Sequence, residues 1–251
     1  MLAASFKLPP SNLKLAAGEI HVWFAVLDQS ASEFYRYIRT LSAEERVTAR
    51  RFYFQEDRKR FVARHGILRM ILGCYLGVKA SELRFYHGEN GKPAITETFS
   101  KEPICFNLSH SNGAALFAFT RNHEIGVDIE HIRDISEMED IVERFFSTRE
   151  KTFFRALAHE KRREAFFDCW TRKEALIKAI GEGLSCPLDK FDVTPVPDEG
   201  ETLPTIEGDP KGVPDWPIHT LRLARDYAGA LATESKSFTL RCFKWITTVA
   251  N

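Results

Sequence analysis

The sequence predicts an α+β fold made of two similar halves, each containing a strand, a block of helices and then antiparallel strands. Three observations support this prediction. Two helix-capping motifs recur 105 residues apart, an apolar strand precedes each motif, and an alanine-rich strand follows each helical block. We therefore expect two α/β subdomains related by pseudo-twofold symmetry, with a cleft between them that would be a favourable place for a ligand.

Both helical blocks begin at a Ser-x-x-Glu capping box, formed by Ser42 with Glu45 and by Ser147 with Glu150. In such a box the serine oxygen accepts a hydrogen bond from the third helical amide, and the glutamate side chain reaches back to the serine amide. Each box therefore predicts a helix start.

The same offset of 105 residues, carried along the second helix of each block, places Arg69 opposite Glu174. Both second helices are expected to end at a glycine, Gly77 in the first half and Gly181 or Gly183 in the second.

The strands are predicted from runs of apolar residues that flank the helices. Residues 21–27 and 125–129 precede the two helical blocks, and residues 114–120 and 227–233 follow them. The join is expected near residues 121–124, which gives an N-terminal subdomain over 1–122 and a C-terminal subdomain over 123–251. The segment 195–217 is rich in Pro, Gly and acidic residues and predicts a surface loop or an insertion.

Composition excludes several classes of protein. The 251 residues contain 35 Lys plus Arg and 35 Asp plus Glu, so no global charge favours nucleic acid or a membrane. No apolar run is long enough to span a bilayer, and residues 1–10 lack a signal-peptide pattern, which predicts a cytoplasmic protein. Five widely spaced cysteines predict reduced thiols and no disulfide framework: Cys74, Cys105, Cys169, Cys186 and Cys242.

Charge is unevenly distributed within this neutral total. Residues 36–69 contain ten basic and four acidic side chains. They could form a solvated helical face or a patch for a polyanion such as a nucleotide, and composition leaves both interpretations open.

Two acidic residues alternate along the predicted strand at 125–129 and just beyond it. Asp128 and Glu130 are two residues apart, so their carboxylates point to the same face. Neighbouring carboxylates repel each other unless a cation lies between them. The pair could belong to a solvated edge strand or to a metal site.

A stripe on the second long helix combines aromatic and charged residues. Trp170, Glu174 and Lys178 follow one another at intervals of four and therefore share a face. Glu174 and Lys178 could form an ordinary surface ion pair. Because Trp170 favours burial, the same stripe could also be half-buried and functional.

Two further segments contain candidate polar residues. Asn107-Leu108-Ser109-His110-Ser111 precedes the strand at 114–120, and its histidine could be structural or catalytic. Gly91-Lys92-Pro93 predicts a turn, and its lysine would also suit a phosphate contact.

Taken together and in this order, three motifs resemble those of the 4′-phosphopantetheinyl transferase superfamily: Asn-Leu-Ser-His-Ser, Gly-Val-Asp-Ile-Glu and Trp-x-x-Lys-Glu-Ala-x-x-Lys-x-x-Gly-x-Gly-Leu. The length with two halves resembles the larger, surfactin-type (Sfp-type) branch. The resemblance implies transfer of 4′-phosphopantetheine from coenzyme A to a serine of an apo acyl or peptidyl carrier protein, with release of 3′,5′-ADP. It also implies Mg²⁺ as the cofactor and a monomer that binds neither nucleic acid nor membranes.

The resemblance also implies roles for individual residues. Asp128, Glu174 and, as a third ligand, Glu130 match the magnesium carboxylates, and Glu174 is a candidate base for the carrier serine. Lys178 matches the lysine that assists the departing 3′,5′-ADP. Coenzyme A contacts are implied for Lys92, Pro93, Ser109, His110, Asp128 and Lys178.

One position departs from the family pattern. Thr48 stands where the family often has a basic coenzyme A contact, and Arg46, Arg50 or Arg51 could substitute for it, with Arg51 as our candidate. Under the offset of 105, Arg69 in place of Glu174 would mean that the duplicated scaffold kept its chemistry in one copy.

Other functions fit part of the pattern. A magnesium-dependent nuclease or phosphohydrolase would also use spaced acids and a lysine, but it would be expected to show a basic surface for the nucleic-acid backbone. A carrier-binding module with a degenerate site is disfavoured because Asp128, Glu174 and Lys178 are all present.

Overall fold

The first half of the chain contains a strand, three helices and four further strands. The computed structural model describes residues 6–10, 13–88, 91–96, 103–181, 187–193, 201–202, 205–206, 216–223 and 226–246. The elements of the first half are β1 (Glu19–Val26), α1 (Ala31–Ile38), α2 (Ala43–Arg51), α3 (Gln55–Leu76), β2 (Phe85–His87), β3 (Pro93–Ile95), β4 (Ile104–Ser111) and β5 (Ala114–Arg121).

The second half repeats this order. Its elements are β6 (Ile125–His131), α4 (Met138–Phe145), α5 (Thr148–Ala156), α6 (His159–Ile180), β7 (Phe191–Asp192), β8 (Glu201–Thr202), β9 (Thr205–Ile206), β10 (Ile218–Thr220), β11 (Tyr227–Thr233) and β12 (Thr239–Lys244). The α+β prediction is therefore confirmed, and the four strands expected from the sequence are β1, β5, β6 and β11.

The two main sheets have matching topology. The first has the strand order β12-β1-β5-β4, and the second has the order β6-β11-β10-β8. Strand β5 of the first sheet runs antiparallel to β1 and β4, and strand β11 of the second sheet runs antiparallel to β6 and β10. The strands β1-β5-β4 therefore correspond to β6-β11-β10. Strand β12 pairs in parallel with β1 and thus crosses the division expected between residues 122 and 123.

The sheets pack back to back, with the helices outside. Ile20 and Val22 of β1 share one buried cluster with Val127 and Ile129 of β6. On their opposite faces, each sheet packs against the helices of its own half in a separate cluster. This layering brings the edge strand β4 of the first sheet beside β6 of the second.

Local signals fix the helix boundaries. Both capping boxes are formed, because the Ser42 and Ser147 side chains accept from the third amide and the glutamates bond back to the serine amides. Helices α3 and α6 both contain 22 residues and end at glycines in the left-handed conformation, Gly77 at φ 67° and Gly181 at φ 81°. Gly183 lies outside the described residues.

The structure corrects the alignment of the two long helices. Helix α3 begins at Gln55 and α6 at His159, an offset of 104 rather than 105 residues. Arg69 therefore corresponds to Lys173, and the prediction that it corresponds to Glu174 is wrong. Met70 holds the position equivalent to Glu174. The catalytic candidates of α6 still have no charged counterpart, since Cys74 stands where Lys178 stands.

Three smaller expectations concern membranes, thiols and a loop. No helix in the described part of the chain has the length and apolarity that crossing a bilayer requires. Four cysteines in the described residues are free thiols, and Cys186 lies outside them. The segment predicted as a loop at 195–217 contains the short strands β8 and β9, and most of its remaining residues are not described.

Candidate active site

Gly126 allows β6 to lie directly on α6. A Cβ atom at this position would stand 2.0 Å from the Ala175 carbonyl oxygen and 2.3 Å from the Ala179 amide nitrogen. Contacts this close require glycine on the strand and small residues on the helix. The approach brings the acidic part of β6 against the stripe of α6 that contains Glu174 and Lys178.

Asp128 is the most buried acid of the site, with only 2% of its surface exposed. Its Oδ1 accepts hydrogen bonds from Lys178 Nζ at 2.5 Å and from Ser109 Oγ at 2.7 Å. Its Oδ2 is also buried, and no described residue forms a hydrogen bond with it. The carboxylate therefore has one oxygen neutralised and one available.

Polar side chains of β4 join the two halves at this point. Asn107 Oδ1 accepts from the Val127 amide at 3.0 Å, and Ser109 donates to Asp128. Ser111 Oγ donates to Glu130 Oε2 at 2.7 Å and accepts from the next amide of β6. The alternating polar residues of Asn-Leu-Ser-His-Ser thus hold the two acids of β6 in place.

These residues surround an open cleft of about 480 Å³ between the halves. The predicted helical stripe is confirmed, because Trp170, Glu174 and Lys178 all line the cleft. Asp128 and Glu130 line it too, as expected for residues on one face of a strand. The remaining lining residues are Arg64, Leu108, Ser109 and His110.

Burial raises the pKa of Glu174, and the neighbouring Lys178 cation opposes this rise while the Asp128 carboxylate adds to it. Burial likewise raises the pKa of Glu130, against the hydrogen bond from Ser111 and together with the charge of Asp128. Both carboxyls therefore hold a proton more readily than an exposed glutamate.

The donor set suits a hard divalent cation shared with a substrate. Asp128 Oδ2 lacks a partner among the described residues, and the charge of Asp128 adds to the burial that raises the pKa of both glutamates, so a cation here would relieve repulsion. In the described part of the chain, no group of three or more His, Cys, Asp or Glu side chains is arranged to enclose a metal ion. The three-carboxylate magnesium site therefore stays a prediction.

The first half contributes two nitrogen-containing side chains to the cleft. Desolvation of the ring, together with the cations of Arg64 and Lys178, lowers the pKa of His110 to about 4, so its ring is neutral at physiological pH. Arg64 of α3 was not among the predicted site residues. The sequence could have indicated it by its position, because Arg64 shares a helical face with Phe61 and Leu68, which are both buried.

Lys92 and Pro93 lie outside this cleft. Lys92 Nζ contacts Glu124 Oε2 at 2.6 Å and the Ile125 and Ala179 carbonyl oxygens, both at 3.1 Å. It therefore ties the β2–β3 hairpin to the start of β6 and the end of α6.

Pro93 lines a second cavity of about 610 Å³ in the first half, beside Arg46 and His65. Arg46 donates to the Ile38 and Arg39 carbonyl oxygens. Arg51 is exposed at the last position of α2 and lines neither cavity.

Known family models match both halves of the chain. A family model described as "4′-phosphopantetheinyl transferase superfamily" matches residues 124–232, and one described as "4′-phosphopantetheinyl transferase, N-terminal" matches residues 28–121. The 4′-phosphopantetheinyl transferase HetI of a Nostoc species is 40% identical over 205 residues, which are 82% of this chain and 86% of that protein.

The 4′-phosphopantetheinyl transferase Sfp of Bacillus subtilis is 35% identical over 164 residues, which are 65% of this chain and 70% of that protein. These relatives give no support to the alternative of a magnesium-dependent nuclease or phosphohydrolase. The two family models cover both halves, and the match to HetI extends over most of both proteins. The chain therefore belongs to the 4′-phosphopantetheinyl transferase superfamily.

Proposed function

We propose that this chain transfers 4′-phosphopantetheine from coenzyme A to a serine of an apo acyl or peptidyl carrier protein and releases 3′,5′-ADP. The observation that carries the proposal is that Asp128, Glu174 and Lys178 line one open cleft between the halves. The matches to named 4′-phosphopantetheinyl transferases support the same reaction.

In the proposed reaction the carrier serine oxygen bonds to the pantetheine-side phosphorus of coenzyme A. The bond from that phosphorus to the bridging oxygen breaks, and the electron pair leaves with 3′,5′-ADP. Because a serine hydroxyl is a weak nucleophile, its proton must be accepted as the bond forms. Glu174 suits this role, since its carboxylate lines the same cleft as Asp128 and Lys178 and can accept the proton directly or through a water.

Lys178 suits the leaving side of the reaction. Its ammonium lies beside Asp128 and Ser109, in the same cleft as Glu174. A fixed cation there would offset the negative charge that develops on the leaving phosphate oxygens. Its contact with Asp128 holds the ammonium in position before substrate enters.

Asp128 and Glu174, with Glu130 as a third ligand, would hold Mg²⁺. When bound, Mg²⁺ would offset the charge of the pyrophosphate, for which it commonly combines one or two carboxylates with phosphate oxygens. The unpartnered Oδ2 of Asp128 supports this assignment. Ser109 would have a second role, because its hydrogen bond fixes the orientation of Asp128.

We further propose that coenzyme A extends from this cleft into the first half. His110 and Ser109 would contact it at the cleft, and Pro93 would contact the nucleotide in the second cavity. Lys92 stays a proposed phosphate contact, although its ammonium already has three acceptors. Arg51 also stays a proposal. Because both halves form the cleft within one chain, a monomer would be sufficient for activity.

The test is a reconstitution with purified protein, coenzyme A, Mg²⁺ and several unrelated apo carrier proteins. We expect one phosphopantetheine per carrier by intact-protein mass spectrometry, and loss of the reaction when EDTA replaces Mg²⁺. A carrier whose acceptor serine is changed to alanine is the matched control. An unchanged mass for every carrier, from a protein that is folded, would contradict the proposal.

A further inference from the structure

Arg64 presents a cation to the cleft without an acidic partner. It is half-buried on α3, the long helix of the first half, and lines the same cleft as Asp128, Glu174 and Lys178. Its guanidinium carbon lies 5.5 Å from the centroid of the Phe61 ring. Its Nε is buried and forms no hydrogen bond with any described residue.

Two of the other three arginines on the same helix are paired, and the buried Nε of the third, Arg58, forms no hydrogen bond with any described residue. Arg60 contacts Asp28 at 2.7 Å, and Arg69 contacts Glu45 at 2.8 Å. Arg64 forms no salt bridge within the described ranges, and burial lowers its pKa to about 10, which still leaves it charged at neutral pH. A partly buried cation without an anion is unfavourable, so an anionic ligand that enters the cleft would gain from it.

We propose that Arg64 binds the pyrophosphate of coenzyme A from the side of the first half. This inference rests on the proposed function and adds a binding residue to it. A guanidinium offers two parallel N–H donors that match two phosphate oxygens. Arg64 shares its cleft with Lys178 and the three acids rather than with the second cavity near Pro93, so the pyrophosphate is the phosphate group that it would meet.

The proposal also accounts for the departure at Thr48. The resemblance leads us to expect a basic residue there, on α2, and the chain has a threonine. Arg64 supplies a cation to the first-half wall of the cleft from α3 instead. Arg51, which the sequence favoured, is exposed and does not line this cleft.

The experiment measures coenzyme A binding by titration calorimetry in wild type, Arg64→Gln and Arg64→Lys. We expect Arg64→Gln to weaken binding roughly 10- to 100-fold and Arg64→Lys to weaken it less, because lysine keeps the charge but loses the planar fork. Arg60→Gln is the matched control, since Arg60 lies on the same helix and pairs with Asp28; its affinity should stay within about twofold of wild type.

Dephospho-coenzyme A, which lacks the 3′-phosphate but retains the pyrophosphate, identifies the phosphate involved. Arg64→Gln should lose the same factor with this ligand as with coenzyme A. A loss that disappears with dephospho-coenzyme A would assign Arg64 to the 3′-phosphate and overturn the proposal. Wild-type affinity in Arg64→Gln would overturn it as well.

Failure of this inference can be separated from failure of the proposed function. If wild type transfers phosphopantetheine and Arg64→Gln binds coenzyme A with wild-type affinity, only the role of Arg64 is refuted. Wild type that does not bind coenzyme A refutes both. If Arg64→Gln does not fold, Arg64→Lys carries the test, and an affinity equal to wild type in that variant overturns the proposal.

Discussion

Arg69 and Lys173 occupy equivalent positions in the two halves, and each places its cation on the glutamate of a capping box. Arg69 Nε lies 2.8 Å from Glu45 Oε2, and Lys173 Nζ lies 2.8 Å from Glu150 Oε2. Each cation also donates to two backbone carbonyl oxygens in the turn that follows its helix. In each half the ion pair therefore joins three segments of the chain, although the cation is arginine in the first half and lysine in the second.

Lys173→Met should strongly destabilise the fold. The lysine side chain is fully buried, and its removal leaves the buried carboxylate of Glu150 without its cation. Breaking a buried pair in this way costs about 3–5 kcal/mol of unfolding free energy. Urea denaturation followed by circular dichroism measures the loss. Lys190→Met, at an exposed position, is the control and should change stability by less than about 0.5 kcal/mol. A loss below about 1 kcal/mol for Lys173→Met would show that the pair matters little.

The contribution of Glu45 should depend on pH. Burial alone would raise the pKa of Glu45, but hydrogen bonds from His65 and the Ser42 amide, with the charge of Arg69, outweigh it and lower the pKa to about 2. A carboxyl with a lowered folded-state pKa stabilises the fold above its unfolded pKa of 4.5, and this stability is lost as the pH falls through the folded value.

We therefore expect the pH-dependent part of the stability that Glu45 adds to wild type, relative to Glu45→Gln, to reach its full size at pH 7, at roughly 3 kcal/mol of unfolding free energy. It should shrink as the pH falls from about 4.5 towards about 2. Urea titrations at several pH values measure this difference. Glu44→Gln, at the exposed neighbouring position, should show no such trend. A difference for Glu45→Gln that is constant over this range would refute the assigned cause.

Local features of the fold could be predicted from sequence, whereas the register between the halves could not. Capping boxes, glycine stops and apolar strands each depend on a few neighbouring residues, and they appear in the structure where expected. Three residues, 52–54, connect α2 to α3, but two, 157–158, connect α5 to α6. A comparison without gaps cannot detect this difference, so it pairs Arg69 with Glu174 instead of Lys173.

The candidate site shows the same limit. The spacing of Asp128 with Glu130 and of Trp170 with Glu174 and Lys178 is visible in the sequence, because each set lies on one element. Contacts between elements are not visible in this way. The hydrogen bonds from β4 to β6, the attachment of Lys92 to the end of α6 and the presence of Arg64 in the cleft all depend on how distant segments pack.

Glu174→Gln should stop catalysis and largely spare coenzyme A binding. The substitution keeps the size of the side chain but removes its ability to accept a proton. Loss of a general base typically reduces kcat by about 100- to 10,000-fold. The measurements are single-turnover transfer by mass spectrometry and coenzyme A affinity by calorimetry, in the presence of Mg²⁺. Glu160→Gln, at an exposed position of the same helix, is the control and should remain active. Normal turnover in Glu174→Gln would remove this residue from the mechanism.

Lys178→Ala should slow transfer much more than it weakens coenzyme A binding. Lys178 holds its ammonium 2.5 Å from Asp128 Oδ1 and 3.0 Å from Ser109 Oγ, so its position is fixed before substrate binds. A cation that acts on charge developing in the transition state affects kcat and kcat/KM equally, whereas one that only attracts substrate affects KM.

We expect both kcat and kcat/KM for Lys178→Ala to fall roughly 100-fold, the size found when one electrostatic contact to the transition state is removed. The dissociation constant for coenzyme A should rise by less than about fivefold, because the other side chains of the cleft remain in place. Lys161→Ala, at an exposed position of α6, is the matched control and should keep wild-type kinetics. If Lys178→Ala instead weakens coenzyme A binding while kcat is unchanged, its ammonium serves to attract the substrate and does not assist the departure of 3′,5′-ADP.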